Sequence, residues 1–565
     1  MLPPSSKPGS GAPAPDPQGG SPVGEAAGGA EAPAEASVAP VAGGDAALGA
    51  ARPQEVEPSA GSDSSRFLST EHLSKNLRRR SVRGGVATLI GQGGTFVINL
   101  GGTAVLARIL SPRDFGLLAM VATFTRLIDQ LKDMGLASAT IQRKDLSREQ
   151  VSYLFWVNVG VGGVAGVLAL LAAPLIAWFY SEPVLTGITV ALSLGFLMAG
   201  FGVQHQALLQ RQMKLRSLAM NKLVSASIGT LAGIAAALLG ARYWALVCMN
   251  LVTALVSAIG LWWVCEWRPS APRRNVEGVG ALMAFGWQIT GSRMLTFLTR
   301  NLDNILVGKV WGDVALGYYA KAYQILMLPV QQLINPLTTV VVPALSRLQH
   351  DQVAYIRYYQ KSLRTLTTVT MPAVAICFVA ARELILVVLG PRWESCVPIF
   401  QWLAPAAFVG TFNPIAWAWV SLNQADRMLR WTLISTPFYA AGFALGVPFG
   451  VTGVAAAFSI TQLGLRYFSI SYCFKTNFLS FRVLFEATWQ ATVASLGAAA
   501  IVLLAAQTGM FALVAPLALA LKALFYGVCY LALWWCLPGG RAALRETALL
   551  WRDLRSAPRK SAQKE

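Results

Sequence analysis

The stretch SYLFWVNVGVGGVAGVLALLAAPLIAWF (152–179) contains no charged side chain in 28 residues. As an α-helix it would be about 42 Å long, which exceeds the ~30 Å thickness of the hydrocarbon core of a bilayer. Comparable apolar stretches recur along the chain, which is 55% hydrophobic and only 13% charged. This composition excludes a soluble protein of 565 residues and predicts an all-α polytopic membrane protein.

Fourteen stretches are long and apolar enough to be predicted as transmembrane helices. They lie near residues 84–107, 115–140, 152–179, 184–206, 217–239, 243–264, 280–308, 314–344, 365–389, 397–421, 429–449, 451–473, 484–506 and 511–536. If the N-terminus is cytoplasmic, the cytoplasmic segments from residue 66 onward contain 30 basic residues and the external segments contain 5. Because basic residues are enriched in cytoplasmic loops, the sequence predicts that both termini are cytoplasmic.

The first part of the chain differs from the rest in composition. Residues 1–65 are rich in Ala, Pro, Gly and Ser, and they carry eight acidic residues against Lys7 and Arg52. Such a segment buries too little apolar surface to offset its chain entropy, so we predict a disordered tail. The expected domains are this tail (1–65), an N-terminal six-helix bundle (66–264), a C-terminal six-helix bundle (265–480), a terminal transmembrane helix pair (481–537) and a basic cytoplasmic tail (538–565).

The two six-helix bundles are predicted from an internal repeat. LARILSPRDFGLLAM (Leu106–Met120) aligns with VGKVWGDVALGYYAK (Val307–Lys321) at an offset of 201 residues, which matches Gly116 with Gly317. Because each repeat contains an even number of helices, the two halves share one orientation in the membrane.

Charged residues occur inside some of the predicted spans. In GSRMLTFLTRNLDNILVGKV (Gly291–Val310), Arg293, Arg300 and Asn304 fall on one helical stripe, and Asp303 lies beside it. Charge at membrane depth costs several kcal/mol or more, so such residues usually pair inside a bundle or line an aqueous pathway. One alternative interpretation is a buried Arg–Asp pair that only locks two helices together. Another is that Arg300 and Asp303, which are three residues apart on one helix, simply neutralise each other.

Polar stripes occur in the first two predicted helices of each half. They comprise Gln92, Thr95, Asn99 and Thr103 in the first helix, Arg126, Asp129 and Asp133 in the second, the seventh-helix residues above, and Lys321, Gln324, Gln331 and Asn335 in the eighth. Because the stripes follow the repeat, we predict a water-accessible cavity between the halves, walled by helices 1, 2, 7 and 8. Its excess of cations favours an anionic substrate group such as a phosphate.

From these stripes we predict two sets of site residues. The candidate substrate-binding residues are Arg126, Arg293, Arg300, Lys321, Asn304 and Gln331, and the candidates for carrying a coupling ion are Asp129, Asp133 and Asp303. The chain contains no Walker A motif, and its Cys and His residues have no metal-ligand spacing. We therefore predict a secondary transporter rather than an enzyme, with no catalytic residues, no metal, no cofactor and no nucleic-acid partner.

Six segments together resemble the polysaccharide-exporter flippases, the Wzx-like family of the multidrug/oligosaccharidyl-lipid/polysaccharide superfamily. They are, in order, ILSPRDFGLLAM, DMGLASATIQRKDLS, QALLQRQMKLRSLA, RNLDNILVG, LGYYAKAYQILMLP and VVPALSRLQ, and the resemblance covers about residues 80–480. By this resemblance Arg300, Asn301, Asp303 and Asn304 match the seventh-helix motif of the family, and Asp133 and Gly135 match that of the second helix.

The resemblance implies that the protein flips undecaprenyl-diphosphate-linked oligosaccharides, such as O-antigen or exopolysaccharide precursors, across the bacterial inner membrane by alternating access. It implies that arginines in the cavity bind the diphosphate and that H⁺ or Na⁺ is the coupling ion. The expected partners are the lipid-linked oligosaccharide, membrane lipids, a polysaccharide polymerase and chain-length proteins.

Two other classes of protein remain open as alternatives. A multidrug exporter of the same superfamily would favour an anionic cavity for cationic drugs, whereas the predicted cavity is cationic. A membrane polysaccharide polymerase would be expected to place functional arginines in a large external loop, and the predicted external loops are short. The lipid-linked peptidoglycan precursor is an alternative substrate.

Overall fold

The structure, a computed structural model, describes residues 77–132, 140–141, 147–271, 294, 297, 301–411 and 415–540. The regular elements within these ranges are helices, which confirms the all-α fold. Several predicted features lie outside the described residues: the tail 1–65, the site residues Arg293, Arg300 and Asp133, and residues 541–565 of the basic tail.

The first half of the described chain consists of six long helices. They are α1 (Leu77–Ile109), α2 (Pro112–Lys132), α3 (Arg148–Tyr180), α4 (Val184–Arg211), α5 (Leu215–Leu238) and α6 (Tyr243–Val264). Local sequence sets several of their ends. For example, α3 begins at a capping box, in which the side chains of Ser147 and Gln150 each accept a hydrogen bond from the backbone N–H of the other residue.

The described residues of the second half form nine α-helices. They are α7 (Leu302–Arg347), α8 (Gln352–Val379), α9 (Ala381–Val388), α10 (Cys396–Gly410), α11 (Ile415–Ser421), α12 (Ala425–Gly446), α13 (Gly450–Phe474), α14 (Phe481–Gln507) and α15 (Ala515–Cys536). Within α7, Gly312 has a φ of +80°, a backbone conformation that favours glycine. It divides α7 into a first segment (302–311) and a second segment (313–347), as the two separate predicted spans require.

Within the described ranges, ten helical stretches are long and apolar enough to cross a membrane. Some of these stretches contain two consecutive helices, as α12 and α13 do in the stretch Asp426–Phe474. The protein is therefore a multi-pass helical membrane protein, while the number of fourteen spans stays a prediction.

The two halves share one hydrophobic core at one end of the molecule, whereas each half has its own buried cluster at the other end. We name the end where α1 finishes and α2 begins the distal end, and the opposite end the proximal end. Toward the distal end, one hydrophobic core contains residues of both halves, among them Leu106, Phe115 and Trp393. At the proximal end, the buried residues form separate clusters, one around Phe155 in the first half and one around Tyr355 in the second.

The repeat is visible as a symmetric contact between α2 and the second segment of α7. A Cβ atom added at Gly116 would lie 1.8 Å from the carbonyl oxygen of Asp313, and one added at Gly317 would lie 2.1 Å from the carbonyl oxygen of Pro112. Asp313 follows Pro112 by the same 201 residues that separate the two glycines. The two contacts are therefore equivalent, as at an interface with two-fold symmetry.

Candidate functional site

A cavity of about 360 Å³ lies in the proximal part of the molecule and has walls from both halves. Its polar lining comes from α1, α4, α5 and α6 of the first half and from the second segment of α7. Among the described residues, the polar lining consists of the carboxamides Gln92, Gln206, Gln210, Asn221, Gln332 and Asn335, the hydroxyls Thr88, Thr95 and Ser257, and the single charged side chain Lys222. Carboxamides donate and accept hydrogen bonds, so the cavity suits a ligand with many hydroxyl groups.

Close packing of α1 on α5 positions one wall of the cavity. A Cβ atom added at Gly91 would lie 2.6 Å from Cβ of Ala219, so glycine allows the two helices to approach closely. This contact leaves Gln92, the next residue of α1, exposed to the cavity. On α5, Asn221 is fixed because its Nδ2 donates to the carbonyl oxygen of Ser257 at 3.2 Å.

A cationic site lies between α2 and α7, farther toward the distal end. Lys321 is half-buried in the second segment of α7, and its Nζ donates to Oε1 of Gln324 at 2.9 Å. The same Nζ lies 4.3 Å from the ring centroid of Phe115 on α2, a cation–π contact. Arg126, an exposed residue of α2, lies close enough to repel Lys321 electrostatically.

Lys321 and Arg126 carry like charges on two helices, α7 and α2, that pack against each other. Among the ion pairs of the described ranges, none joins a carboxylate to either cation. Two like charges at this depth are costly without an anion nearby. The arrangement is therefore suited to binding an anionic group in the space between the halves.

Asp303 occupies a different environment from the cations. Its side chain is buried, and its Oδ2 accepts a hydrogen bond from the hydroxyl of Tyr319 at 2.8 Å. Its Oδ1 accepts from the backbone N–H of Asn304 at 2.8 Å and from Nδ2 of Asn304 at 3.3 Å. Because Asp303 and Tyr319 lie on opposite sides of Gly312, the hydrogen bond between their side chains connects the two segments of α7.

The structure places the other predicted site residues as follows. Asn304 contacts Asp303, whereas Gln331 is exposed on α7 next to the cavity-lining residue Gln332. Asp129 is half-buried on α2.

The walls of the cavity differ in part from those predicted. α1 and the second segment of α7 line it as expected, but α2 supplies none of its described lining residues. Helices α4, α5 and α6 contribute instead, because α1 packs along α5 rather than along α2.

Sequence reasoning did not select the cavity residues of α4 and α5, namely Gln206, Gln210, Asn221 and Lys222. A signal for them was present in QALLQRQMKLRSLA (206–219), where Gln206 and Gln210 are four residues apart and therefore share a helical face. These amides were not predicted as site residues because the predicted cavity was walled by helices 1, 2, 7 and 8, which do not include α4 and α5.

Polar contacts between the halves close the distal end. Nε of Arg113 lies 2.8 Å from Oδ2 of Asp313, across the interface between α2 and α7. A guanidinium NH2 of the same arginine lies 3.6 Å from Oε2 of Glu182, in the turn between α3 and α4. We name the Arg113–Asp313 pair the distal clasp.

Two further contacts at this end are related by the repeat. A guanidinium NH2 of Arg108 donates to the carbonyl oxygen of Val387 in the second half at 2.8 Å. Reciprocally, Lys309 of the second half donates to the carbonyl oxygen of Phe179 in the first. Arg108 and Lys309 are 201 residues apart, so each half supplies an equivalent cation to a helix end of the other half.

Residues 105–398 match the model of a protein family described as polysaccharide biosynthesis protein. The chain belongs to this family. The match spans α2 with Arg126 and both segments of α7 with Asp303 and Lys321. The match therefore includes the contact between α2 of the first half and α7 of the second half.

Named relatives of the polysaccharide biosynthesis protein family support the match. The chain is 26% identical to the lipopolysaccharide biosynthesis protein WzxC of Escherichia coli K12, over 69% of this chain and 80% of that protein. It is 29% identical to the teichuronic acid biosynthesis protein TuaB of Bacillus subtilis 168, over 61% of this chain and 73% of that protein. It is 26% identical to the succinoglycan biosynthesis transport protein ExoT of Rhizobium meliloti 1021, over 64% of this chain and 73% of that protein.

Among solved structures, the fold of this polysaccharide biosynthesis protein is similar to that of the lipid II flippase MurJ in an inward closed conformation. The TM-score is 0.64 at 12% sequence identity, and the similarity covers 84% of this chain and 99% of MurJ. At this identity the similarity concerns the fold.

Proposed function

We propose that the protein exports an undecaprenyl-diphosphate-linked oligosaccharide, such as an O-antigen or exopolysaccharide precursor, from the inner to the outer leaflet of the bacterial inner membrane. One observation carries this proposal: the second segment of α7 bears both lining residues of the hydroxyl-binding cavity and Lys321. Lys321 lies within electrostatic range of Arg126 on α2, and neither cation forms an ion pair with a described carboxylate. A lipid-linked glycan has both features, a diphosphate and a hydroxyl-rich chain. The names of the family and of its relatives, including a succinoglycan transport protein, support the same substrate class.

In this mechanism Lys321 and Arg126 bind the diphosphate. Hydrogen bonds between charged groups are roughly twice as strong as neutral ones, and anion binding relieves the repulsion between the two cations. Arg293 and Arg300, predicted from the sequence, would add to this site. The glycan occupies the polar cavity, while the polyprenyl chain stays in the lipid because its burial there needs no protein contact.

Alternating access requires the distal end to open after substrate binding. We infer that the termini are cytoplasmic, so that the proximal end, where the cores of the halves are separate, faces the cytoplasm. The substrate then enters between the halves while the distal clasp is closed. Export follows when Arg113 separates from Asp313 and the halves rotate about the bound substrate.

We also infer that an ion gradient drives this movement, with H⁺ or Na⁺ carried by Asp129, Asp133 or Asp303. We assign transport, not catalysis, to the chain. A polysaccharide polymerase and chain-length proteins are the partners that would receive the exported repeat unit. A multidrug exporter for cationic drugs is disfavoured, because no carboxylate is among the described residues that line the cavity.

The double variant Lys321→Gln/Arg126→Gln tests the diphosphate site. Each contact to a charged group contributes about 1.5–3 kcal/mol, so we expect at least a tenfold loss of export, with lipid-linked repeat units accumulating in the cell. Polymer level and lipid-linked intermediates are measured in a flippase-deficient strain that expresses equal amounts of each variant.

Lys321→Arg keeps the charge and is expected to retain export. Lys361→Gln, an exposed cation of α8, is the control for a simple loss of positive charge. Wild-type polymer levels in the double variant would contradict the proposed function.

A further inference from the structure

The structure separates recognition of charge from recognition of sugar. The cations Lys321 and Arg126 lie toward the distal end, whereas the six carboxamides Gln92, Gln206, Gln210, Asn221, Gln332 and Asn335 line the proximal cavity. We name these six residues the carboxamide chamber. We propose that the chamber recognises uncharged sugars, so that the exported repeat unit is built of neutral and N-acetylated hexoses rather than hexuronic acids. This inference rests on the proposed function and narrows its substrate class.

The chemistry of the lining favours an uncharged glycan. A sugar hydroxyl donates one hydrogen bond and accepts others, and an acetamido group does the same through its N–H and C=O. A carboxamide side chain offers both functions on neighbouring atoms, so it can satisfy either group without a change of protonation. The amides reach the chamber from α1, α4, α5 and α7, which places hydrogen-bonding groups on several sides of a bound glycan.

A hexuronic acid would be poorly accommodated in the same chamber. A carboxylate that leaves water needs paired cations and additional hydrogen bonds, because its desolvation is costly. Among the described lining residues the single cation is Lys222, and its side chain is exposed. An exposed ammonium group stays hydrated and gains little from a carboxylate. The chamber therefore selects against acidic sugars.

The spacing along α7 keeps the diphosphate site apart from the chamber. Lys321 and Asn335 are 14 residues apart on one stripe of the second segment, which corresponds to about 21 Å along a helix. Between them, the exposed amides Gln324 and Gln331 follow the same stripe. A repeat unit of several sugars can thus extend from the cations to the chamber, where its uncharged end is bound.

The inference is tested with the full chain in proteoliposomes and three synthetic probes. They are bare undecaprenyl diphosphate, the same lipid with a tetrasaccharide of neutral and N-acetylated hexoses, and a third in which one hexose is replaced by hexuronic acid. We expect the neutral probe to bind and translocate at least about tenfold better than the uronate probe. This ratio corresponds to the free-energy penalty of one buried polar group that lacks a hydrogen-bond partner. Equal handling of both glycans, or a preference for the uronate, would overturn the inference.

Variants of the chamber make the test specific. Gln332→Leu should weaken binding of the neutral probe by about tenfold while binding of bare undecaprenyl diphosphate stays at the wild-type level. Gln332→Arg should shift the preference toward the uronate probe, because it adds a cation to the chamber. Gln507→Leu, an exposed glutamine at the end of α14, is the matched control.

The outcomes separate this inference from the proposed function. If none of the three lipid probes binds or moves, the proposed function fails and the inference fails with it. If bare lipid and both glycan probes are handled equally, only the inference fails. An unchanged preference in Gln332→Arg would also overturn it.

Discussion

At the scale of single residues, the carboxylate of Asp303 shows how this protein keeps a charge-bearing group inside a bundle of apolar helices. Its side chain is 3% exposed, and it receives hydrogen bonds from Tyr319 and from two groups of Asn304. A buried polar group without a partner costs about 1–3 kcal/mol. The Tyr319 hydroxyl therefore stabilises the buried carboxylate of Asp303 by donating a hydrogen bond to it. The same hydrogen bond also restrains the bend at Gly312.

Replacing Tyr319 with Phe removes this donor and keeps the ring. We expect the melting temperature of the detergent-purified protein to fall, corresponding to about 1–3 kcal/mol of lost stability. Tyr467→Phe, at an exposed tyrosine of α13, is the control and should have no effect. In Asp303→Asn/Tyr319→Phe the loss should be smaller than the sum of the single losses, because the two residues are coupled. Additive losses would contradict the assigned contact.

The sequence predicted that Asp303 has a special environment, because charge at membrane depth is costly. It did not predict the partner, since Tyr319 lies sixteen residues downstream and beyond the break at Gly312. Lys321 and Arg126 were predicted as part of one site, and they do lie within electrostatic range of each other. The contact of Lys321 with Phe115 depends on how α2 crosses α7, which hydropathy does not encode.

At the scale of helices, a buried ion pair joins α15, the last described helix, to α9. Nζ of Lys522 in α15 lies 2.8 Å from Oε1 of Glu383 in α9, and the two side chains are only 10% and 14% exposed. Helix α9 also presents the carbonyl oxygen of Val387 to Arg108 of the first half. The ion pair thus anchors a helix that takes part in closing the distal end.

Breaking this pair from one side should destabilise the protein strongly. Lys522→Met leaves Glu383 buried and unpaired, at a cost of about 3–5 kcal/mol, whereas Lys522→Met/Glu383→Leu should recover most of the stability. Thermal unfolding in detergent measures both variants. The exposed pair Arg382–Glu394, at 63% and 56% exposure, is a matched control, and Arg382→Met should cost about 0–1 kcal/mol. A double variant as unstable as Lys522→Met would contradict this account.

Helix positions followed largely from hydropathy, because a span must be long and apolar whatever its neighbours are. The neighbours themselves were less predictable. The close approach of α1 to α5 depends on small residues such as Gly91, whose role appears only when the facing residue Ala219 is known. For this reason the contribution of α4, α5 and α6 to the cavity was missed, although the presence of a polar cavity was anticipated.

At the scale of the whole molecule, the protein consists of two halves that meet by repeat-related contacts at the distal end. The crossing at Gly116 and Gly317 and the reciprocal contacts of Arg108 and Lys309 obey one offset of 201 residues. Closely packed interfaces tend to switch between discrete arrangements rather than deform continuously. Export by alternating access therefore requires that the distal clasp opens in every transport cycle.

Locking the distal clasp tests this requirement most directly. The seven native cysteines are replaced, Arg113→Cys and Asp313→Cys are introduced, and the pair is joined with a reducible bifunctional thiol reagent. Translocation of a labelled undecaprenyl-diphosphate-linked oligosaccharide is then measured in proteoliposomes. The control is Arg113→Cys/Glu182→Cys, in which the same reagent joins two residues of the first half without linking the halves. We expect that the cross-link between the halves abolishes translocation and that reduction restores it. Translocation at the uncross-linked rate with the clasp locked would contradict it.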